Sequence, residues 1–210
     1  MEHGPATASP PGMAPSAAHG TPHYSVYWKA WGVLLAITQG MRMDLSTFPG
    51  EEEGRVAALQ TMEDLDRYTY WVAGSAGEFW TDIHLAHRPA LAGWDGEAMR
   101  RRAVRIGQGL QMTNILRDLP RDLQIGRCYL PERMLAAGAL TPTDLLQPRN
   151  LARVRPLLLG LIRNTLALYD EGWAYTLAVP RREWRLRLAC AWPLLIGLPT
   201  LDLIARAESL

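Results

Sequence analysis

Cysteine is scarce in this chain of 210 residues, which carries Cys128, Cys190 and no C-x-x-C spacing. This scarcity excludes a disulfide framework and a cysteine zinc site, and it fits reduced thiols in a cytoplasmic protein. A surplus of charge of one sign is lacking too, because 22 basic side chains stand against 21 acidic ones. The sequence therefore gives no support for a nucleic-acid partner.

The amino-terminal residues lack the features of a secretion signal. Residues 1–22 consist mainly of Pro, Ala, Gly, Ser and Thr, without a basic start or a continuous apolar run. Such a composition cannot bury enough apolar surface to offset the entropy lost on ordering. We predict a disordered low-complexity leader over 1–22 and a single α-helical domain over 23–210.

The chain also lacks an uncharged and continuously apolar run of about twenty residues, the length that spans a bilayer as a helix. The longest uncharged run near the carboxyl end covers 188–201 and contains two prolines. We predict that this run is a buried core helix.

Sustained alternation of apolar and polar residues, the sign of a half-buried strand, is absent. Apolar residues instead recur at helical spacing, and Pro and Gly clusters separate the periodic segments. Thr61, with Asp64 three residues later, and Asp95 are the expected helix starts. The fold class is predicted as all-α, with helices over 24–45, 61–88, 95–122, 131–137, 141–146, 151–178 and 182–207.

Residues 107–131, GQGLQMTNILRDLPRDLQIGRCYLP, carry the chemistry. On one helix face this spacing sets a ladder of oxygen-bearing side chains: Gln111, Asn114, Asp118 and Asp122. Carboxylates one turn apart can hold Mg²⁺ together with substrate phosphates, and Arg117 and Arg127 can form forked bonds to phosphate oxygens. The alternative is a solvated acidic face, which explains most D-x-x-x-D spacings. Pro120 is expected to kink or end the helix between the two aspartates.

Three segments carry a resemblance to one family. Residues 107–131 look like the second aspartate-rich motif of the squalene/phytoene synthase family. RYTYWVAGSAG, at 67–77, is similar to its tyrosine–valine–alanine–glycine helix, and QGMRMDL, at 39–45, resembles the segment before it. All three occur in the family's order, and GEFWTDIHL, at 77–85, leans toward the bacterial squalene synthase type. The resemblance implies an isoprenoid-synthase-like helical bundle.

The family's activity then supplies the expected function and the expected roles. Two prenyl diphosphates, with farnesyl diphosphate as the expected substrate, would be condensed head-to-head through a cyclopropyl diphosphate to squalene. Mg²⁺ would be bound by Asp118 and Asp122, and NADPH would be needed for squalene but not for phytoene. The implied catalytic residues are Tyr68, Arg117, Asp118, Asp122 and Arg127, and the implied substrate-binding residues are Tyr68, Gln111, Asn114, Arg117 and Arg127.

Two glycines and two arginine clusters have further interpretations. Gly74 and Gly77 are costly inside a helix, so they indicate close helix packing, room for a prenyl chain, or both. The arginines at 100–102 and 105, and those at 181, 182, 185 and 187, fit a solvated face or contact with anionic lipid. Peripheral contact with the inner face of a membrane is therefore an expectation for a cytoplasmic protein.

The family's first aspartate-rich motif is lacking, because no D-x-x-x-D on an apolar helix precedes Tyr68. We expect an amino-terminally truncated relative whose own activity is in doubt. A non-catalytic or degenerate helical subunit and a phytoene synthase stay open as alternatives. A transition-metal site is imaginable at Glu78, Asp82, His84 and His87, although these residues lack the Glu-x-x-His pairs of a di-iron bundle.

Overall fold

Seven α-helices make up most of the computed structural model, which describes residues 22–48, 50 and 56–208, with side chains from residue 27 onward. They are α1 (Pro22–Thr47), α2 (Met62–Thr69), α3 (Ser75–His87), α4 (Gly96–Gln124), α5 (Glu132–Ala137), α6 (Leu151–Ala178) and α7 (Trp184–Arg206). A π-helical turn, Tyr70–Gly74, joins α2 directly to α3. Short 3-10 turns cover Pro89–Leu91, Pro142–Leu146, Pro148–Asn150 and Arg181–Glu183. The all-α prediction is confirmed.

The predicted helix starts follow from local capping. The Thr61 hydroxyl accepts a hydrogen bond from the Asp64 amide at 3.1 Å, and the Asp64 carboxylate accepts one from the Thr61 amide at 3.1 Å. This capping box satisfies two amides at the start of α2 that have no intrahelical partner. Asp95 caps α4 in the same way through the Ala98 amide. Residues 1–21 of the predicted leader lie outside the described part of the chain. Its last residue, Pro22, is the first residue of α1.

Helix α4 does not end at Pro120, so of the two predicted outcomes, a kink or an end, the end is wrong. The helix continues to Gln124 with Pro120 inside it. A proline removes only its own amide from the helical ladder. Leu119 and Leu123, on either side of Pro120, are both buried, and their packing holds the last turn in place. Asp118 and Asp122 therefore stay on one continuous helix.

A pair of two-residue strands was not predicted. Strand β1 (Ala57–Ala58) pairs in parallel with β2 (Arg127–Cys128), which directly follows α4. The Ala57 amide donates to the Gly126 carbonyl at 2.9 Å, and the Leu59 amide donates to the Cys128 carbonyl at 3.1 Å. Such short strands leave no alternating pattern in the sequence. The pair holds β2 and Tyr129 beside the end of α4.

Helix α4 lies at the centre of the molecule, with α3, α6 and α7 packed around it. Two glycines allow its close contact with the preceding helical segment. A Cβ added at Gly77 would overlap the Ala103 carbonyl of α4, and one added at Gly107 would overlap the Ala73 carbonyl. The close-packing interpretation of Gly77 is therefore supported. Gly74 is different, because its added Cβ would meet side chains, those of Tyr70 and Val104.

Helix α7 is not the buried core helix that was predicted for residues 188–201. By length and composition alone, the segment Arg181–Arg206 could cross a membrane. Its most apolar stretch of 18 residues has a mean hydropathy of 1.7, and 22% of that stretch is buried. Leu194 and Leu201 face the core. The opposite face exposes a row of apolar side chains at helical spacing: Trp184, Leu188, Trp192, Leu195, Ile196 and Leu203. The run thus has one buried stripe, which is what a helix at the outside of a bundle requires.

Candidate active site

The predicted ladder of oxygen-bearing side chains lies on one face of α4. Gln111, Asn114, Asp118 and Asp122 are all half-buried, whereas Met112, Thr113, Ile115 and Leu116 between them are buried. The face is therefore neither a core stripe nor a fully solvated one. This placement fits side chains that line the edge of a cavity.

Asp118 is held by its neighbour Arg117. The Arg117 guanidinium donates from Nε to Oδ1 at 2.8 Å and from Nη2 to Oδ2 at 2.7 Å. These two hydrogen bonds lower the pKa of Asp118 below its ordinary value. The Asp118 side chain is 42% exposed, so both of its oxygens remain open to water or to an incoming cation. Arg117 is exposed and bonds to Asp118 through Nε and Nη2. These bonds do not use Nη1, so the phosphate-binding role of Arg117 stays a prediction.

Asp122 lies in a different environment, one turn further along α4. Burial raises its pKa, the charge of Asp118 raises it further, and so does that of Asp44. The Arg127 guanidinium lowers it, which offsets part of the rise. A half-buried carboxylate crowded by two others is stabilised by a cation.

These carboxylates fit a magnesium ion that is shared with substrate phosphates, because such ions use one or two protein carboxylates. Among the described residues, no group of three His, Cys, Asp or Glu side chains is placed to hold a metal by itself. The carboxylates of Asp118 and Asp122 suit a Mg²⁺ ion that also binds phosphate oxygens of a substrate. They do not surround the ion with protein ligands alone. Asp118 and Asp122 therefore remain predicted metal ligands.

Asp44, near the end of α1, completes the charged end of the site. It accepts a hydrogen bond from Arg127 Nη1 at 3.1 Å on one oxygen and from the Tyr129 hydroxyl at 2.5 Å on the other. Burial, and then the bond to Asp44, raise the pKa of Tyr129 far above its ordinary value. Sequence reasoning missed Asp44 and Tyr129 as site residues. Their signal was present, since both lie in the quoted segments MRMDL and GRCYLP.

Tyr68 joins the same cluster through aromatic contact. Its ring stacks on that of Tyr129 with centroids 5.0 Å apart, and Phe48 packs edge-on against Tyr129 at 5.1 Å. Burial raises the pKa of Tyr68, an effect that the Tyr129 hydroxyl partly offsets. Its phenol therefore stays protonated at neutral pH. The charges of Asp122 and Arg127 both act on Tyr68, so these three predicted site residues lie near one another, and their roles stay predictions.

An apolar groove of about 400 Å³ begins where the ladder ends. Gln111 and Asn114 stand at its polar edge, and its walls come from the π-helical turn and α3, from α4, and from α7. The wall residues include Val72, Gly77, Trp80, Ile106, Leu110 and Pro193. Gly77 therefore both permits close packing and lines the groove, whereas Gly74 is not among the lining residues. A charged end and an apolar body suit an amphiphile with an anionic head.

A transition-metal site on α3 was the alternative prediction, and three of its four residues, Glu78, Asp82 and His84, contact other protein groups. Glu78 accepts a hydrogen bond from the Tyr70 hydroxyl at 3.1 Å. Asp82 forms ion pairs with Lys29 and Arg100, both at 2.7 Å. His84 contacts the Trp80 ring and the Trp80 carbonyl. These contacts join α3 to α1 and α4 and favour a structural role.

Comparison with known proteins decides the family. A sequence profile described as squalene/phytoene synthase matches residues 30–210. The chain belongs to this family. Its members condense prenyl diphosphates head-to-head. The segments quoted for the resemblance all lie inside the matched range, so that recognition is confirmed.

Several curated relatives are phytoene synthases. The phytoene synthase of Thermus thermophilus is 40% identical over 116 residues, which are 55% of this chain and 37% of the relative. The 15-cis-phytoene synthase of Enterobacter agglomerans is 33% identical over 131 residues, 62% of this chain and 42% of the relative. A bifunctional lycopene cyclase/phytoene synthase of Arthroderma gypseum is 33% identical over 66% of this chain and 23% of that protein. The chain thus spans less than half the length of these relatives.

One solved structure has a similar fold. The squalene synthase HpnC of Alicyclobacillus acidocaldarius superposes with a TM-score of 0.67 at 25% identity, covering 84% of this chain and 60% of that one. The prediction of an isoprenoid-synthase-like helical bundle is confirmed by this match.

Proposed function

We propose that this chain acts in the head-to-head condensation of two prenyl diphosphates, with a cyclopropylcarbinyl diphosphate as the first product. The observation that carries the proposal is the junction on α4. There the polar ladder of Gln111, Asn114, Asp118 and Asp122 runs into the apolar groove. An isoprenoid diphosphate has the same division into a charged head and an apolar tail.

The charged end would receive the diphosphates. Asp118 and Asp122 are the residues that would hold Mg²⁺, which neutralises charge on a departing diphosphate when it is bound. Arg127 would donate hydrogen bonds to phosphate oxygens from the guanidinium positions that Asp44 does not use. Gln111 and Asn114 would orient the head group at the mouth of the groove.

The apolar groove would keep water away from the reacting carbons. Condensation breaks the bond between C1 and the diphosphate of one substrate, and C1 then bonds to the double bond of the second. Loss of a proton closes the cyclopropane ring. The allylic cation must be shielded until the second chain attacks. Tyr68 is not among the residues that line the groove, and its place next to the reacting carbons is what the family resemblance implies. There its ring, stacked on Tyr129, would offer an aromatic face to that cation, an interaction of about 0.5–2 kcal/mol.

The proposal has two versions, which differ in the final hydrocarbon product, phytoene or squalene. The curated relatives support phytoene, which forms without a reductant, whereas the HpnC fold supports squalene, which requires hydride from NADPH. The purified chain should be incubated with Mg²⁺ and either farnesyl or geranylgeranyl diphosphate, with and without NADPH, and the hydrocarbons extracted. We expect a cyclopropyl diphosphate to accumulate from farnesyl diphosphate without NADPH if squalene is the product. Phytoene from geranylgeranyl diphosphate in both conditions would support the other version.

A non-catalytic helical subunit is the competing function. The same incubation distinguishes it, since neither a cyclopropyl diphosphate nor a hydrocarbon would then form with either substrate. Binding of the prenyl diphosphate without turnover would support the subunit, and absence of binding as well would contradict the proposed site.

We extend the proposal to peripheral contact with an anionic membrane surface. The exposed row on α7 contains Trp184 and Trp192, and Arg181, Arg182 and Arg185 are exposed at the start of the same helix. Tryptophan and arginine beside an apolar face are typical of helices that lie in the membrane interface. Co-sedimentation should show binding to vesicles with anionic lipid and little binding to neutral ones.

The exposed face of α7 can be tested directly. The double variant Trp192→Ser/Ile196→Ser should weaken vesicle binding by more than about tenfold, because two large apolar side chains no longer enter the interface. Leu146→Ser, which removes an exposed leucine far from α7 in sequence, is the matched control and should bind as the unmodified chain does. Equal vesicle binding by both variants would contradict membrane contact through α7.

A further inference from the structure

Asp44 links α1 to the segment that follows α4. Its side chain is 19% exposed, and each of its oxygens accepts one hydrogen bond. Tyr129 donates to Oδ1 at 2.5 Å and Arg127 donates to Oδ2 at 3.1 Å. The partners lie 85 and 83 residues further along the chain. One carboxylate therefore contacts two side chains of the candidate site.

Arg127 depends on Asp44 for its placement. Within the described part of the chain, Asp44 is its hydrogen-bond and ion-pair partner. A free arginine side chain must lose rotamer entropy before it can bind an anion in one geometry. The bond from Nη1 to Asp44 orders the guanidinium in advance and leaves its other donors for phosphate oxygens.

Tyr129 carries the influence of Asp44 to Tyr68. The Tyr129 hydroxyl donates to Asp44, and the Tyr129 ring packs edge-on with Phe48 and stacks on Tyr68. Phe48 also follows directly after α1. Without the Asp44 carboxylate, the Tyr129 hydroxyl would lose its acceptor in a partly buried position, which favours a different position of the ring.

We propose that Asp44 is a positioning residue that holds Arg127 at the diphosphate end of the site and Tyr129 against Tyr68. This inference rests on the proposed function, because it assigns Arg127 to a diphosphate. Asp44 itself contacts neither metal nor substrate in this proposal and acts through its two partners.

A second buried carboxylate provides a matched control. Asp82 on α3 is 9% exposed and forms ion pairs with Lys29 and Arg100, so it also ties α1 to α4. It lies on α3 outside the Asp44 cluster, and its ion-pair partners in the described part of the chain, Lys29 and Arg100, are not ladder residues. Asp44→Asn and Asp82→Asn therefore remove comparable charges, one at the site and one away from it.

The first measurement is calorimetric binding of inorganic pyrophosphate with Mg²⁺ to the full chain. Asp44→Asn should weaken pyrophosphate binding about tenfold or more, because Arg127 loses its charged anchor. Asp82→Asn should change the affinity less than about twofold, and Asp44→Glu should restore part of the loss. Equal affinities of Asp44→Asn and the unmodified chain would overturn the inference, and so would equal losses in Asp44→Asn and Asp82→Asn.

The second measurement separates the inference from the proposed function. In a chain with ¹³C-labelled tyrosine, Tyr68→Phe and Tyr129→Phe assign the two ring signals in NMR spectra. Asp44→Asn should shift or broaden both signals, whereas Asp82→Asn should leave them in place. If the unmodified chain fails to bind pyrophosphate, the proposed function fails, and shifted tyrosine signals would still support the positioning of Tyr129. Unchanged signals in Asp44→Asn would contradict it.

Discussion

Asp122→Asn is expected to lower the turnover of prenyl diphosphate by about a thousandfold, because it removes a carboxylate from the proposed magnesium end of the site. The same substitution should not lower stability. Burial and two neighbouring carboxylates raise the pKa of Asp122, so its ionised form opposes folding at neutral pH. Turnover is measured with whichever of farnesyl and geranylgeranyl diphosphate the incubation described above shows to be a substrate. Stability is measured by urea denaturation at several pH values.

The pH dependence follows from the direction of this shift. Because the pKa is higher in the folded state than in the unfolded state, the free energy of unfolding falls as the pH rises from the unfolded to the folded pKa. Asparagine cannot ionise, so this part of the pH dependence should disappear in Asp122→Asn. Asp170→Asn, at an exposed position on α6, is the control and should retain both turnover and pH dependence. Full turnover in Asp122→Asn would remove Asp122 from the metal site.

Gly107→Ala should destabilise the fold by about 3 kcal/mol, near the upper end of typical overpacking effects. The added Cβ would overlap the backbone carbonyl of Ala73. A backbone carbonyl inside a helical segment cannot swing aside as a long side chain can, so the two segments must move apart. The free energy of unfolding is measured by urea denaturation with helical circular dichroism as the probe.

Gly160→Ala is the matched control for this prediction. Gly160 also lies inside a long helix, α6, but a Cβ added there meets no atom within 4 Å. Alanine should therefore stabilise the chain by up to about 1 kcal/mol through its higher helix propensity. Opposite signs for the two substitutions support the close contact at Gly107, and a stabilising Gly107→Ala would contradict it.

Local signals made the helices predictable. The bounds of α6 agree with the predicted 151–178, and the starts of α2 and α4 follow from Thr61 and Asp95, whose partners lie three residues away. The ladder on α4 was also predictable, because i, i+4 spacing is a property of the helix itself. Pro120 was overestimated as a helix breaker because the buried Leu119 and Leu123 hold the turn around it.

Contacts between distant segments were not predictable from spacing. The burial of α7 was misjudged because the run at 188–201 is apolar on most of its faces, so its composition does not say how much of it is covered. Only the packing of α4 and α6 decides which stripe is buried. The two short strands and the groove likewise depend on where whole segments meet.

By itself, the sequence determined the helical fold class, the family and the polar face of α4, since each depends on residues within a few positions of one another or on ordered motifs. The tertiary structure alone decided that Asp44 meets Arg127 and Tyr129, and that Tyr68 stacks beside them. The two hydrogen bonds of Asp44 join residues more than eighty positions apart. The physical reason is that such a meeting depends on the packing of α1 against α2, the π-helical turn and α3, and on the β1–β2 pair. Neither leaves a periodic signal in the chain.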